Sequence, residues 1–201
     1  MRRRLLIPVL LACTGFRPLI AADDKDQAKD KGEDKDQDKN EDEDDFAERK
    51  DWQVPVTLGK DGWMLYENPR FGFVIPVPPG MRALRPPDNG GGQAFTSADG
   101  KITLTSYGSH NVDNMGDVEA NWKDELAAKG RTITYKRKED GWYVISGVMD
   151  NGTGFYTRYE ADKEHSAGWS LTYPRKDEKR CAALVERIAK GYEARLGKGQ
   201  D

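Results

Sequence analysis

Few residues in this chain have both reactive side chains and suggestive neighbours. The strongest case is Pro86-Pro87-Asp88-Asn89-Gly90-Gly91-Gly92. Three glycines would let a backbone come close to a ligand and would offer N–H groups to an anion. Asp88 and Asn89 could instead supply oxygen atoms to a metal ion. The segment is not a P-loop, because no Lys-Ser or Lys-Thr follows the glycines and no helix is expected there. Its competing reading is a flexible approach to a hairpin. The two histidines, His110 and His165, stand 55 residues apart with no HxH or HxxxH spacing. A metal site needs several converging ligands, so each is read as a separate surface histidine and no shared site is expected. No Gly-x-Ser-x-Gly elbow occurs, and Ser146-Gly147 falls inside an expected strand, so no catalytic residue is assigned. Cys181 falls on the apolar face of an expected helix, where a thiol is shielded and behaves as core. The candidate ligand-binding residues are Asp88, Asn89 and His110, with no metal and no cofactor expected.

The N-terminal composition sets the context for those residues. Arg2, Arg3 and Arg4 precede an apolar run from Leu5 to Phe16, and the segment closes on Ile20-Ala21-Ala22. This is the pattern of a secretory signal over residues 1–22, cut after Ala22. In an alternative, Leu10-Leu11-Ala12-Cys13 resembles a lipobox and Cys13 becomes the lipidated first residue. Residues 23–51 hold 15 acidic and 7 basic side chains, with Phe46 as the only large apolar one. Such a segment cannot bury enough surface to offset its ordering entropy, and it reads as a disordered, charged linker. Residues 52–198 are then close to neutral, which gives no basic face for nucleic acid. No later run approaches the ~18 apolar residues of a membrane span.

The remaining residues read as one α+β domain. Trp63 to Tyr66 and Phe71 to Ile75 are apolar strand-like runs joined by Glu67-Asn68-Pro69-Arg70, and Pro76 is expected to break the second. Gln93 to Ser97 and Ile102 to Tyr107 flank Asp99-Gly100 as a hairpin. Met115, Val118, Trp122 and Leu126 mark one stripe of a helix, with Asp113 or Asn114 as its cap and Gly130 as its end. Four strand-like runs follow, from Thr132, Trp142, Gly154 and Trp169, with Asp140-Gly141 and Asn151-Gly152 among their links. They predict an antiparallel meander. From Asp177, residues Cys181, Leu184, Val185, Ile188, Tyr192 and Leu196 share one face of a second helix. The expected architecture is an antiparallel sheet of about 6–8 strands packed by two amphipathic helices.

In order along the chain, Asn68-Pro-Arg-Phe-Gly-Phe-Val-Ile-Pro-Val-Pro78, Pro87-Asp-Asn-Gly-Gly-Gly-Gln-Ala-Phe95, Gly141-Trp-Tyr-Val-Ile-Ser-Gly147 and Trp169-Ser-Leu-Thr-Tyr-Pro174 resemble a bacterial family of small exported proteins. That family has a Mog1/PsbP-like fold. The resemblance implies a central antiparallel sheet flanked by helices, and members that serve as accessory subunits. It brings no catalytic residues with it. The expectation is an exported, periplasmic or extracellular, non-catalytic binding or accessory domain of the cell envelope. Its partner would be a protein or a small ligand. The rival readings are an envelope lipoprotein held through Cys13, and a hydrolase or metal-dependent enzyme with a site near Asp88 and His110.

Overall fold

The computed structural model describes residues 54–112 and 116–199. The segments read as a signal and a linker, and Cys13, lie outside the described residues. Ten strands and two helices follow one another as β1 (Val56–Leu58), β2 (Met64–Glu67), β3 (Val74–Val77), β4 (Met81–Ala83), β5 (Gly92–Ser97), β6 (Thr103–His110), α1 (Val118–Ala127), β7 (Arg131–Glu139), β8 (Trp142–Met149), β9 (Thr153–Ala161), β10 (His165–Pro174) and α2 (Glu178–Gly191). The strands make two antiparallel sheets. One has the order β1-β2-β3, and the other runs β4-β5-β6-β10-β9-β8-β7. The meander expected from the short Asp-Gly and Asn-Gly links is the β7-β8-β9-β10 half of the larger sheet. The sheet continues because β6 pairs with β10, a closure between strands far apart in sequence.

Pro76 does not end its strand, contrary to expectation. It sits within β3 opposite Leu65. A residue without an N–H fits there because β3 is an edge strand. Beyond that edge, Val74 exchanges backbone hydrogen bonds of 2.9 and 3.0 Å with Glu193. The three-residue strands β1 and β4 were not expected either, since neither carries a run of apolar residues.

The helices pack unequally. In α2, Cys181 and Ile188 are fully buried, and Leu184 and Val185 pack against the main core with Phe73, Ile75, Trp169 and Leu171. The helix ends at Gly191, so Tyr192 and Leu196 reach the same core from the segment beyond it. Burial raises the pKa of the Cys181 thiol, as expected of a core cysteine. On α1 no residue is buried; Val118 and Trp122 lean on a smaller cluster of Tyr143, Ile145, Phe155 and Tyr159. Its cap is Asp117, whose carboxylate accepts the Ala120 N–H at 3.1 Å, in place of Asp113 or Asn114. Among the described residues, no helix is long and apolar enough to cross a membrane.

Candidate functional site

Strand register brings together two residues that sequence spacing kept apart. His110 ends β6 and His165 begins β10, and they are direct cross-strand partners. Alternate residues share a sheet face, so His110 continues the row Leu104, Ser106, Gly108, and His165 continues Leu171, Trp169, Ala167. Both rows run from the buried core to a polar end. The two imidazoles lie with ring centroids 5.4 Å apart and tilted by 54°. The expectation that they stand apart is therefore corrected, since they line one recess, while His110 is exposed as a surface histidine.

The turn between β2 and β3 closes one side. Gly108 leaves room for the Phe71 ring, since a Cβ there would lie 2.6 Å from Phe71 Cβ and 2.7 Å from its Cγ. Phe71 then stands 5.1 Å from His110, ring to ring, and the Arg70 guanidinium lies 5.1 Å from the Phe71 centroid. The C-terminal segment closes the other side. A Cβ on Gly197 would come within 3.2 Å of His165 Cε1 and Nδ1, and one on Gly199 within 1.7 Å of the Arg70 carbonyl oxygen. What remains is a recess of about 390 Å³ lined by Arg70, Phe71, His110, Glu164, His165 and the two glycines. Behind it, the Asp162 carboxylate accepts the N–H groups of Glu164 and His165 at 2.8 and 2.7 Å. The same carboxylate stands 3.7 Å from His165 Nδ1. Asn111 ties this corner to β6, donating from Nδ2 to the carbonyls of Asp162 and His165.

The glycine-rich loop is a neighbour of this recess and not part of its lining. Its hub is Asn68, which is buried. Asn68 Oδ1 accepts the N–H groups of Arg70 (3.0 Å) and Phe71 (2.7 Å), and Nδ2 donates to Tyr66 Oη (3.0 Å) and the Gly90 carbonyl (3.1 Å). Arg70 donates to the Asn89 carbonyl. Within the loop, Gly90 N–H donates to Pro87 and Gly91 N–H to Asn89 Oδ1. The Gly90 and Gly91 N–H groups are thus engaged within the loop. Gly92 belongs to β5, where a Cβ would lie 2.2 Å from the Ser106 carbonyl oxygen. The glycine there serves strand approach. Asp88 points away, its side chain 93 % exposed beside Arg85 at 3.6 Å. Asp88 is not among the residues that line the recess with His110. Among the described residues, no three His, Cys, Asp or Glu side chains converge to hold a metal ion.

His165, Arg70 and Asn68 were missed as site residues. The sole sequence signal was Asn68-Pro69 as a turn, and nothing local marks which strand lies beside β6.

The fold is similar to that in the solution structure of cyanobacterial PsbP (CyanoP) from Synechocystis sp. PCC 6803. The TM-score is 0.50 at 13% identity, over 70% of this chain and 97% of that one. At that identity the likeness concerns fold alone: the chain has a PsbP-like α+β fold. No protein-family model matches the chain, and neither does any curated protein sequence.

Proposed function

We propose that this chain is an exported, non-catalytic binding or accessory domain of the bacterial cell envelope, with residues 1–22 as its signal and residues 23–51 as a spacer. The observation that carries the reading is the recess at the end of β6 and β10. It gathers Arg70, two histidines and Glu164 around one cavity, residue types suited to holding a polar ligand. Asp88, the carboxylate that a hydrolytic reading would pair with His110, lies outside it. The PsbP-like α+β fold is compatible with such a domain and supports the architecture alone.

The experiment is recovery of tagged protein from fractions of its native cell, with intact-mass analysis and identification of co-purifying envelope components. The expected result is a mature chain beginning at Asp23, retained in the envelope fraction with a reproducible partner. An acylated species beginning at Cys13 would replace the spacer-borne domain by a lipid-anchored one. An uncut chain recovered alone from the cytoplasm would overturn the proposal.

A further inference from the structure

We propose that the recess between His110 and His165 binds a small organic anion by a carboxylate or phosphoryl head. This rests on the reading of the chain as a binding domain and names the ligand class of its site. Three groups supply the attraction. Arg70 donates to the Asn89 carbonyl, and no carboxylate among the described residues pairs with its guanidinium. Arginine keeps its charge at all working pH values and presents five donors in a planar fork suited to oxyanions. His110 is exposed, and among the described residues its side chain has no hydrogen-bond partner. His165 has Asp162 and Gly197 against its Nδ1 side, which leaves Nε2 as the nitrogen for a ligand.

Other occupants fit less well. A metal ion would want a third converging ligand, which the described residues lack, and would meet the fixed positive charge of Arg70. A bare inorganic ion would leave most of the space empty. At about 390 Å³ the recess lies in the size range of small-molecule sites. The row of Phe71, His110 and His165 rings, spaced 5.1 and 5.4 Å apart, gives the body of such a molecule an aromatic wall. Two carboxylates oppose the anion: Asp162, 3.7 Å from His165 Nδ1 behind the recess, and Glu164, which lines it and can be removed without disturbing that contact. Glu164 makes a prediction of opposite sign to the other three.

The test is an NMR titration of the full mature chain with phenyl phosphate, benzoate and, as the uncharged control, benzyl alcohol. Saturable shifts of the His110 and His165 imidazole signals and of Arg70 Nε–H are expected with at least one acid and not with the alcohol. Tighter binding of phenyl phosphate assigns a phosphoryl head, and tighter binding of benzoate a carboxylate. H110Q should weaken binding about tenfold, the effect of losing one charge-assisted contact. R70Q should weaken it at least as much, with partial recovery in R70K. E164Q should tighten it. Because Arg70 also anchors the loop, H110Q and E164Q keep the test decisive if R70Q melts early. Absence of saturable shifts, equal binding of the alcohol, or H110Q and E164Q that bind like the parent would each overturn the assignment. If the envelope partner is still recovered in that event, only the site assignment falls. If no partner is recovered while the acids bind at His110, the anion site stands and the accessory role falls.

Discussion

The glycine-rich loop and the histidine recess adjoin one another through Arg70, yet they commit their polar groups in opposite ways. In the loop, the Gly90 and Gly91 N–H groups, the Gly90 and Asn89 carbonyls and the Asn89 side chain all have partners within the protein. At the recess, Arg70 pairs with no carboxylate among the described residues and two histidines line a cavity. Richness in glycine signals close backbone approach, and here the approach is between β5 and β6. Binding capacity instead sits where polar side chains end rows that begin in the core. A satisfied loop makes a frame, and an unsatisfied end of a sheet makes a site.

The sharpest way to break this contrast is to remove the frame. Asn68→Ala would orphan the buried N–H of Phe71, the N–H of Arg70 and the Gly90 carbonyl, and would strip Tyr66 of its partner. Unpaired buried groups cost about 1–3 kcal/mol each, so the summed loss should be about 4 kcal/mol. Urea melts measure it, and a loss below about 1 kcal/mol would mean the loop is not held through Asn68. Gly92→Ala should come next. Its Cβ would press on the Ser106 carbonyl, which belongs to the backbone and cannot rotate away. A loss of about 3 kcal/mol is expected from overpacking between paired strands. A variant that melts like the parent would return the glycine to ligand duty.

Alkaline pH probes the same frame without mutation. Burial raises the pKa of Tyr66, with the Asn68 hydrogen bond opposing in part, and burial likewise raises that of Tyr107 in β6. A phenol whose pKa is higher folded than unfolded favours the folded state fully below the unfolded value of about 10. That stabilisation is lost as pH rises above it, because the unfolded chain then releases the proton first. Melting temperature should therefore decline slightly above about pH 8.5, where the buried Cys181 thiol begins to lose its own contribution, and fall more steeply beyond about pH 10, with tyrosinate absorbance rising together with unfolding. Free titration of every phenol in the folded chain would show these tyrosines to be open to solvent.

Local signals were legible in the sequence and long-range ones were not. The β7–β10 meander followed from Asp140-Gly141 and Asn151-Gly152, since a two-residue turn fixes which strand is next. Cys181 and Ile188 followed from helical spacing, and both are buried. The pairing of β6 with β10 depends on the whole meander folding back, and no residue in either strand specifies its neighbour. His110 could therefore be picked out alone, while His165, which precedes the strand expected from Trp169, instead begins β10. Asp88 was overvalued because a carboxylate beside glycines reads alike in a metal loop and in a solvated turn. Only its exposure separates them.

The smallest expected effects sharpen the comparison most. His110→Gln and Asp88→Ala should each change stability by no more than about 0.5 kcal/mol, because neither removes a buried contact or a strong ion pair. The Asp88–Arg85 pair is 3.6 Å apart, with side chains 93 % and 71 % exposed. His110 touches Phe71 and His165 only by tilted ring contacts. The two variants part at the ligand. Asp88→Ala should leave binding of phenyl phosphate or benzoate unchanged, while His110→Gln should weaken it with an unaltered melting curve. Paired melts and titrations on the same preparations decide the matter. Weakening by Asp88→Ala alone would move the site into the loop and reverse the roles assigned to frame and recess.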